Sequence, residues 1–559
     1  MASRKSGSFG IWIGPIVLAA VWFCGAALPV IAAEAGHDHL TIAVNEIAKT
    51  PFPIGASTSA RYLLGFVGRS LTIYDKSWAV VCELCTRLPT IENGQAKIVE
   101  REDGSKGIDV TFELAPDLNW GDGVPVSSAD VVFSVELAHK VGRGVSSLPN
   151  VLDAVALDDR HVTIRTSAVR FDYNRMEYLF LVPAHLEQKI FRNASSSDDY
   201  LAHSAYSLDP GQPGLYYGPY RVTSYGEGKI ELARNPSWSR RRPTFERIEI
   251  QKFSDIEAIA QELANGQVDM IAGENGINTE AAYALEQRDV KSNFDFLFKT
   301  NLEYAHIDLN LSNPILSDRR ARHALLMSID RSKLVAPGYP AEQREIPASF
   351  LPPTSPNYDP TLEQVRYDPA GAAKLFDQAG FRLGSDGIRA DQAGHRLSFR
   401  LLTQANWQAG DALIEKLRTQ WRQSGVEIVI DNRPLQDVLP RRDFDMAYYS
   451  WRNTPEFLLE QVYGRAGIPT AENGYSGLNF PGLDNPDMNK VAAQLTTELD
   501  PSKQLMLWQE AQRIYADQLP ALPLLFVTNV YVLPSWLGGV EPTGHMIPTS
   551  YWVEDWHAR

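Results

Sequence analysis

Residues 107–114, Gly-Ile-Asp-Val-Thr-Phe-Glu-Leu, alternate apolar and polar side chains with the two-residue period of a half-buried strand. A turn-rich stretch, Asn119-Trp120-Gly121-Asp122-Gly123, follows it, and the pattern then lengthens to a helical one. Ser127 with Asp130 three residues on has the form of a capping box, and Val131, Val135 and Ala138 supply the apolar stripe behind it. Asp318 is placed to cap a helix whose inner face carries Ala321, Ala324, Leu325 and Ile329. Asp368-Pro369 opens another helix that Gly380 ends, proline just inside the start and glycine just past the stop. A further helix spans 411–424, stops at Gly425, and passes at once into the apolar strand 426–430. Asp500-Pro501 opens a helix with Leu507, Ala511 and Ile514 on one side, before a buried strand at 521–527. Proline and glycine clusters at 208–219, 336–360 and 464–486 mark long surface loops. Helix and strand signals alternate for most of the length with no fixed-period repeat, and the passage from the helix 411–424 to the strand 426–430 is an α/β unit.

At 559 residues the chain is too long for one hydrophobic core, so at least two folding units are expected. The first 35 residues read as an export signal: Arg4 and Lys5, an apolar stretch from Ile11 to about Ala33, and small residues Ala32, Ala33 and Ala35 at its end. Cys24 raises a lipid-anchored start, but Phe23 stands where that cleavage requires a small residue. The stretch is also long enough for an uncleaved anchor. The formal charge of −15 repels phosphate backbones, and no basic patch with interleaved aromatics stands out, which argues against nucleic acid as a partner.

Cys82 and Cys85 form a Cys-Glu-Leu-Cys run, for which a local disulfide is the leading reading in an oxidising compartment. A redox motif requires the first cysteine at a helix start in a small α/β fold, and zinc requires two further ligands. His37-Asp38-His39 is the one metal-like cluster and sits at the start of the exported chain, so no functional metal is assigned. No nucleophile elbow, phosphate loop or dinucleotide fingerprint is present, and no carboxylate pair converges in the sequence. No catalytic residue and no cofactor are therefore assigned.

Six segments occurring in order are more specific. FELAPDLNWGDGVPVSSADVVFSVE at 112–136 resembles the signature of extracellular solute-binding protein family 5, the oligopeptide-, dipeptide- and nickel-binding subunits of ABC importers. GLYYGPYRV at 214–222 with ELARNPSW at 231–238, ELANGQVDMIAG at 262–273 and HIDLNLSNPILSDRRARHALLMSIDRSKL at 306–334 are similar to later landmarks. YDPAGAAKLFDQAGF at 367–381 and QRIYADQLPALPL at 512–524 complete the set. The resemblance implies a two-lobed, hinged α/β fold of the periplasmic-binding-protein type. It places the first lobe at 36–299 with an inserted subdomain near 63–207, the second lobe at 300–520, and a return to the first lobe at 521–559. Crossings near 300–306 and 520–527 are the implied hinge.

The resemblance also supplies candidate ligand-binding residues. FDMAYYSWRNTPEF at 444–457 is similar to the stretch in which peptide-binding relatives place a tryptophan and then an aspartate that pairs with the peptide ammonium. Trp451 and Pro455 align, but Arg452, Asn453 and Thr454 lie between them and the aspartate is missing. Trp451 is the candidate cleft wall, Arg452 and Asn453 candidates for orienting polar solute atoms, and Glu456 or Asp445 a substitute anion. Tyr448 and Tyr449 point to opposite faces of a strand, so at most one faces the cleft; Tyr449 is taken as that one. Trp407 follows the strand-like 400–404 at a βα junction, and Ser57 and Ser59 lie where the family's first lobe meets ligand, with turn or cap duty as their alternative. Trp120, Asp122 and Gly123 are read as structural.

The implied function is capture of a peptide or peptide-like solute by a monomeric periplasmic subunit that delivers it to an inner-membrane ABC permease with its ATPase. A sensory protein docking the same closed form on a receptor is the second reading. Opines, oligosaccharides or a chelated metal are the alternative solutes.

Overall fold

The computed structural model describes residues 37–559 apart from 143–147, 289–291, 335–344, 405–407 and 454–457. The polar caps legible in the sequence start the helices. Asp318 accepts the Arg320 N–H (2.8 Å) above Arg319–Met327, and Asp368 accepts the Gly371 N–H (2.8 Å) above Pro369–Gln378. Asp500 does the same for Ser502 (2.8 Å) at Pro501–Gln518, and Asp130 reaches back to the Ser127 N–H (2.9 Å) at Ser128–Val141. The helix Gln408–Gln423 passes through Gly425, at φ +83°, into the strand Glu427–Asp431. A Cβ at Gly425 would stand 2.8 Å from Arg389 Cγ, so the tight turn needs both the dihedral and the space.

Ten strands form one sheet. From one edge the order is Glu427–Asp431, Ser398–Leu402, Met446–Arg452, Phe294–Leu309, Ala521–Pro534, Met270–Ile271, His39–Val44, Arg247–Lys252, Lys229–Arg234 and Tyr220–Tyr225. Two long antiparallel strands, Phe294–Leu309 and Ala521–Pro534, thus stand between the strands of one lobe and those of the other. The apolar segment read at 521–527 extends to Pro534 because it pairs along its whole length with that partner.

The register of this pair breaks twice. Between Thr300↔Thr528 and Tyr304↔Phe526 one strand advances four residues while the other advances two. Asn301 holds the slack: its Nδ2 donates to Asn529 Oδ1 (2.9 Å) and its Oδ1 accepts the Glu303 N–H (2.7 Å). The second break lies at His306↔Pro523, where proline has no N–H to give the ladder.

Each lobe carries its own core. In the first, Tyr531 and Leu533 join a large cluster with Tyr62, Phe66 and Tyr551, and Val530 and Val532 join a second one under the helix Thr279–Glu286. A separate four-stranded sheet (Ala96–Glu100, Lys106–Glu113, His161–Thr166, Val151–Ala156) shares the larger cluster, so it has no core of its own. In the second lobe, Ile307, Leu309, Leu522 and Leu524 pack with Leu325, Phe376 and Trp421, and Tyr304 and Phe526 pack with Phe350, Tyr463 and Tyr515. Cys82 and Cys85 are bridged, their Cα atoms 5.3 Å apart. Trp120 and Asp122 are structural: Trp120 Nε1 donates to Asp130 (3.2 Å), and Asp122 accepts the Val124 N–H (3.1 Å) beside Gly123 at φ +89°.

Arg331 fastens the second lobe to the crossing pair. Its guanidinium is buried and donates to the carbonyls of Pro347 (2.8 Å), Pro523 (2.8 Å) and Val365 (2.6 Å), with no carboxylate partner among the described residues; burial pushes it down to about 10. Replacing it leaves two buried acceptors and one partly buried acceptor unmet. Arg331→Met is therefore expected to lower unfolding free energy by about 3 kcal/mol. Urea denaturation measures this, and a loss below about 1 kcal/mol would show that water replaces the guanidinium at no cost.

Candidate functional site

A cavity of ≈ 380 Å³ lies between the lobes, floored by the crossing strands at Ala305, Leu525, Val527 and Thr528. Its first-lobe wall is the turn Gly273–Gly276 and the start of the helix Thr279–Glu286, and its second-lobe wall is Tyr448, Ser450, Leu413 and Lys416. A cavity of a few hundred Å³ with a largely apolar floor and a few polar groups suits a small molecule. Thr528 Oγ1 is buried here without a hydrogen-bond partner, the condition in which a bound solute gains most from supplying one.

The turn owes its position to tight packing. A Cβ at Gly273 would stand 2.4 Å from the Tyr531 ring, and one at Gly276 would stand 1.9 Å from the Ala272 carbonyl. Glu274 between them borders both the main cavity and a narrow throat of ≈ 40 Å³ that adjoins it. The throat is lined by Thr58 and Arg61 of the first lobe, Asn301 and Leu302 of the crossing strand, Arg452 of the second lobe, and His545. Past Leu302 a further void of ≈ 190 Å³ separates Tyr74, Trp78 and Arg175 from Asn453, Gln504 and Trp508. The lobes touch beside it, where the Phe171 N–H donates to the Thr496 carbonyl (3.2 Å).

The strand Met446–Arg452 sorts its side chains by alternation. Tyr448 and Ser450 face the main cavity and Arg452 the throat, where it pairs with Glu303 (3.0 Å). Trp451 points the other way and packs against the second-lobe core beside Tyr304 and Phe350, its Nε1 buried without a partner. Asn453 lines the outer void: its Nδ2 donates to the Phe350 carbonyl and its Oδ1 is buried and unpartnered. Of the two tyrosines, Tyr448 lines the main cavity and Tyr449, taken above as the cleft-facing one, does not. The Tyr449 hydroxyl donates to the buried Asp308 carboxylate and its ring packs edge-on to His306 at 4.5 Å. Asp445 is spent on backbone and side chain, accepting the Arg400 N–H (2.8 Å) and the Asn313 amide (3.0 Å).

Ser57 and Ser59 lie outside the lining of the cavity and throat, and Ser57 takes the cap duty given as their alternative. Ser57 caps the helix Thr58–Val67 by accepting the Ala60 N–H (3.3 Å), and Ser59 is buried with its hydroxyl 2.8 Å from that of Ser57. The residues that reach the throat are Thr58 and Arg61, on the exposed side of the same first turn. A cap assignment at Ser57 was the available signal, since it spends the serine on backbone and turns its neighbours outward. Trp407 and Glu456 lie outside the described residues; three residues of the helix just after Trp407, Ala412, Leu413 and Lys416, line the main cavity. Glu274, His545, Trp78 and Arg175 were not singled out, and only tertiary packing brings them to one gap. Among the described residues no three His, Cys, Asp or Glu side chains converge as a metal site, and no helix is long and apolar enough to cross a membrane.

Two lobes, one floor of paired crossing strands and a cavity bordered by both lobes define a cleft-type binding protein. A family model for bacterial extracellular solute-binding proteins, family 5, matches residues 96–467, and the chain belongs to that family. The oligopeptide-binding protein OppA of Bacillus subtilis is 22% identical over 493 residues, covering 81% of this chain and 83% of that protein. Among solved structures, NikA from Brucella suis in complex with Fe(III)-EDTA superposes with a TM-score of 0.73 at 18% identity, over 93% of this chain and all (100%) of that one. The oligopeptide-binding protein from Thermus thermophilus complexed with a pentapeptide gives 0.69 at 19% identity, over 93% and 96% of the two chains. These likenesses establish the two-lobed α/β fold.

His545 sets a pH limit on the throat. Its Nε2–H donates to the Asp75 carbonyl (3.0 Å), its Nδ1 accepts the Ile547 N–H (3.2 Å), and Trp78 lies edge-on at 5.1 Å. This arrangement fits only the neutral ring, and burial pushes its pKa down to about 4 from 6.5. The unfolded chain thus binds the proton first: the contribution is complete above 6.5 and is lost as pH falls towards 4. Wild type is expected to lose about 3 kcal/mol through that window beyond the loss seen in His545→Gln. Parallel denaturation curves for the two proteins between neutral pH and pH 4 check it; identical pH profiles would contradict it.

Proposed function

We propose that this protein is the substrate-binding subunit of an ABC importer, exported by residues 1–35 to the periplasm, where it captures a peptide or peptide-like solute and hands it to an inner-membrane permease. The observation that carries the reading is the main cavity, whose floor belongs to the strands joining the lobes and whose walls belong to one lobe each. A solute seated there touches both halves and favours the closed arrangement by its differential affinity for it. Binding of peptides by relatives such as OppA supports the solute class. So does the chemistry of the walls, which offer hydroxyl, amide and carboxylate groups from Ser450, Thr528, Asn529 and Glu274 beside apolar surface from Leu525 and Val527.

In this reading residues 36–299 and the return 521–559 form one lobe and 300–520 the other, and Asn301–Glu303 opposite Val527 is the point of bending. Protein purified from its native host is expected to carry a small polar solute released on denaturation and detected by mass spectrometry. Ser450→Trp, which fills the cavity from a partly buried position, is expected to abolish retention while leaving the urea midpoint within error. Retention unchanged in that variant would move the solute out of this cavity.

A further inference from the structure

Peptide-binding relatives are implied to anchor the solute's ammonium on a second-lobe aspartate, and this chain has none at the matching place. The gap nevertheless contains a carboxylate, Glu274, supplied by the opposite lobe. It borders the main cavity and the throat at once, so a solute in either void meets it. The protein fixes its orientation: the Thr549 N–H donates to Oε1 (2.6 Å), the Thr549 hydroxyl to Oε2 (3.3 Å), and the Tyr531 hydroxyl also donates to the carboxylate. These bonds orient the carboxylate and leave its charge unbalanced.

The cations of the gap are committed elsewhere. Arg452 pairs with Glu303 at 3.0 Å, Lys416 Nζ donates to the Leu334 carbonyl at 2.8 Å, and the Arg61 guanidinium lies over the Tyr178 ring at 4.5 Å. Among the described residues no Lys, Arg or His nitrogen comes within 4.0 Å of Glu274. His545, the remaining basic side chain of the throat, is held neutral by its two backbone contacts. Burial pushes the Glu274 carboxyl up from its ordinary value, the direction expected of a desolvated acid that has no counter-ion. A half-buried acid on the wall of a ligand cavity is stabilised when a cation arrives.

From this geometry we infer that Glu274 is the specificity-determining anion of the site, and that the solute carries a cationic amine which pairs with it from within the gap. Amine recognition is thereby placed on the first lobe, and the inference rests on capture in the main cavity. Glu280, on the same wall, is exposed and stays hydrated, so it does not replace Glu274 in this role.

The test uses solute-free full-length exported protein and two probes, an equimolar pool of free-amine tripeptides and the same pool N-acetylated, titrated calorimetrically. Wild type is expected to bind the free-amine pool at least tenfold more tightly than the acetylated pool. Glu274→Gln, with its urea midpoint recorded beside wild type, is expected to lose that preference while keeping its affinity for the acetylated pool. Thr549→Val, which removes the orienting hydroxyl and keeps the charge, is expected to retain most of the preference. Equal binding of the two pools by wild type, or an amine preference that survives in Glu274→Gln, overturns the inference and leaves capture standing. Absence of binding to both pools, with no solute in the native protein, removes the capture reading and this inference with it.

Discussion

The pairing of Phe294–Leu309 with Ala521–Pro534 is the constraint on which the rest of the molecule depends. These strands stand between the five first-lobe strands and the three second-lobe strands of one sheet, so each lobe is anchored on a different stretch of the same ribbon. A fully regular ladder of this length would resist bending. The structure interrupts it at Asn301–Glu303 and at Pro523, and tethers both breaks by side chains, Asn301 to Asn529 and Arg331 to the Pro523 carbonyl. In the proposed reading the ribbon bends near its middle while each end stays locked into its own core.

This explains why the segment 306–334, so rich in polar residues, contains none of the cavity's polar lining. His306 and Asp308 are buried 3.3 Å apart, and Asp308 accepts the Tyr449 hydroxyl. Asn310 donates to the carbonyls of Arg442 (2.9 Å) and Phe444 (2.8 Å). Arg322 donates to those of Gln518, Leu316 and Ser317. Each of these groups is spent on backbone or side-chain atoms of the fold itself. That segment thus serves the folded scaffold, and the polar lining of the cavity and throat comes instead from the turn Gly273–Gly276, the helix start at Thr58–Arg61 and the strand Met446–Arg452.

The division also accounts for what the sequence made legible. Caps such as Asp318, Asp368 and Asp500 act within one turn of themselves, so local pattern located the helices to within a few residues. The strand 444–450 was legible as a strand, and its alternation required Tyr448 and Tyr449 to part; which of them met the cavity depended on the register with Ile307 and His306, a contact more than a hundred residues away in sequence. Ser57 drew attention because of its type, yet its cap position turned Arg61, one turn on, towards the gap. Glu274 had no local signature. It becomes distinctive only when Tyr531 and Thr549, both in the last forty residues, close around its turn and leave its charge without a counter-ion.

The account stands on the lobes moving together when the gap is filled. Small-angle X-ray scattering of the solute-free protein and of the same sample reloaded with its native solute measures this directly. The account predicts a smaller radius of gyration and a shorter maximum dimension on loading, and no such change when Ser450→Trp is treated in the same way. Superimposable scattering curves for the empty and fully loaded wild-type protein would contradict it.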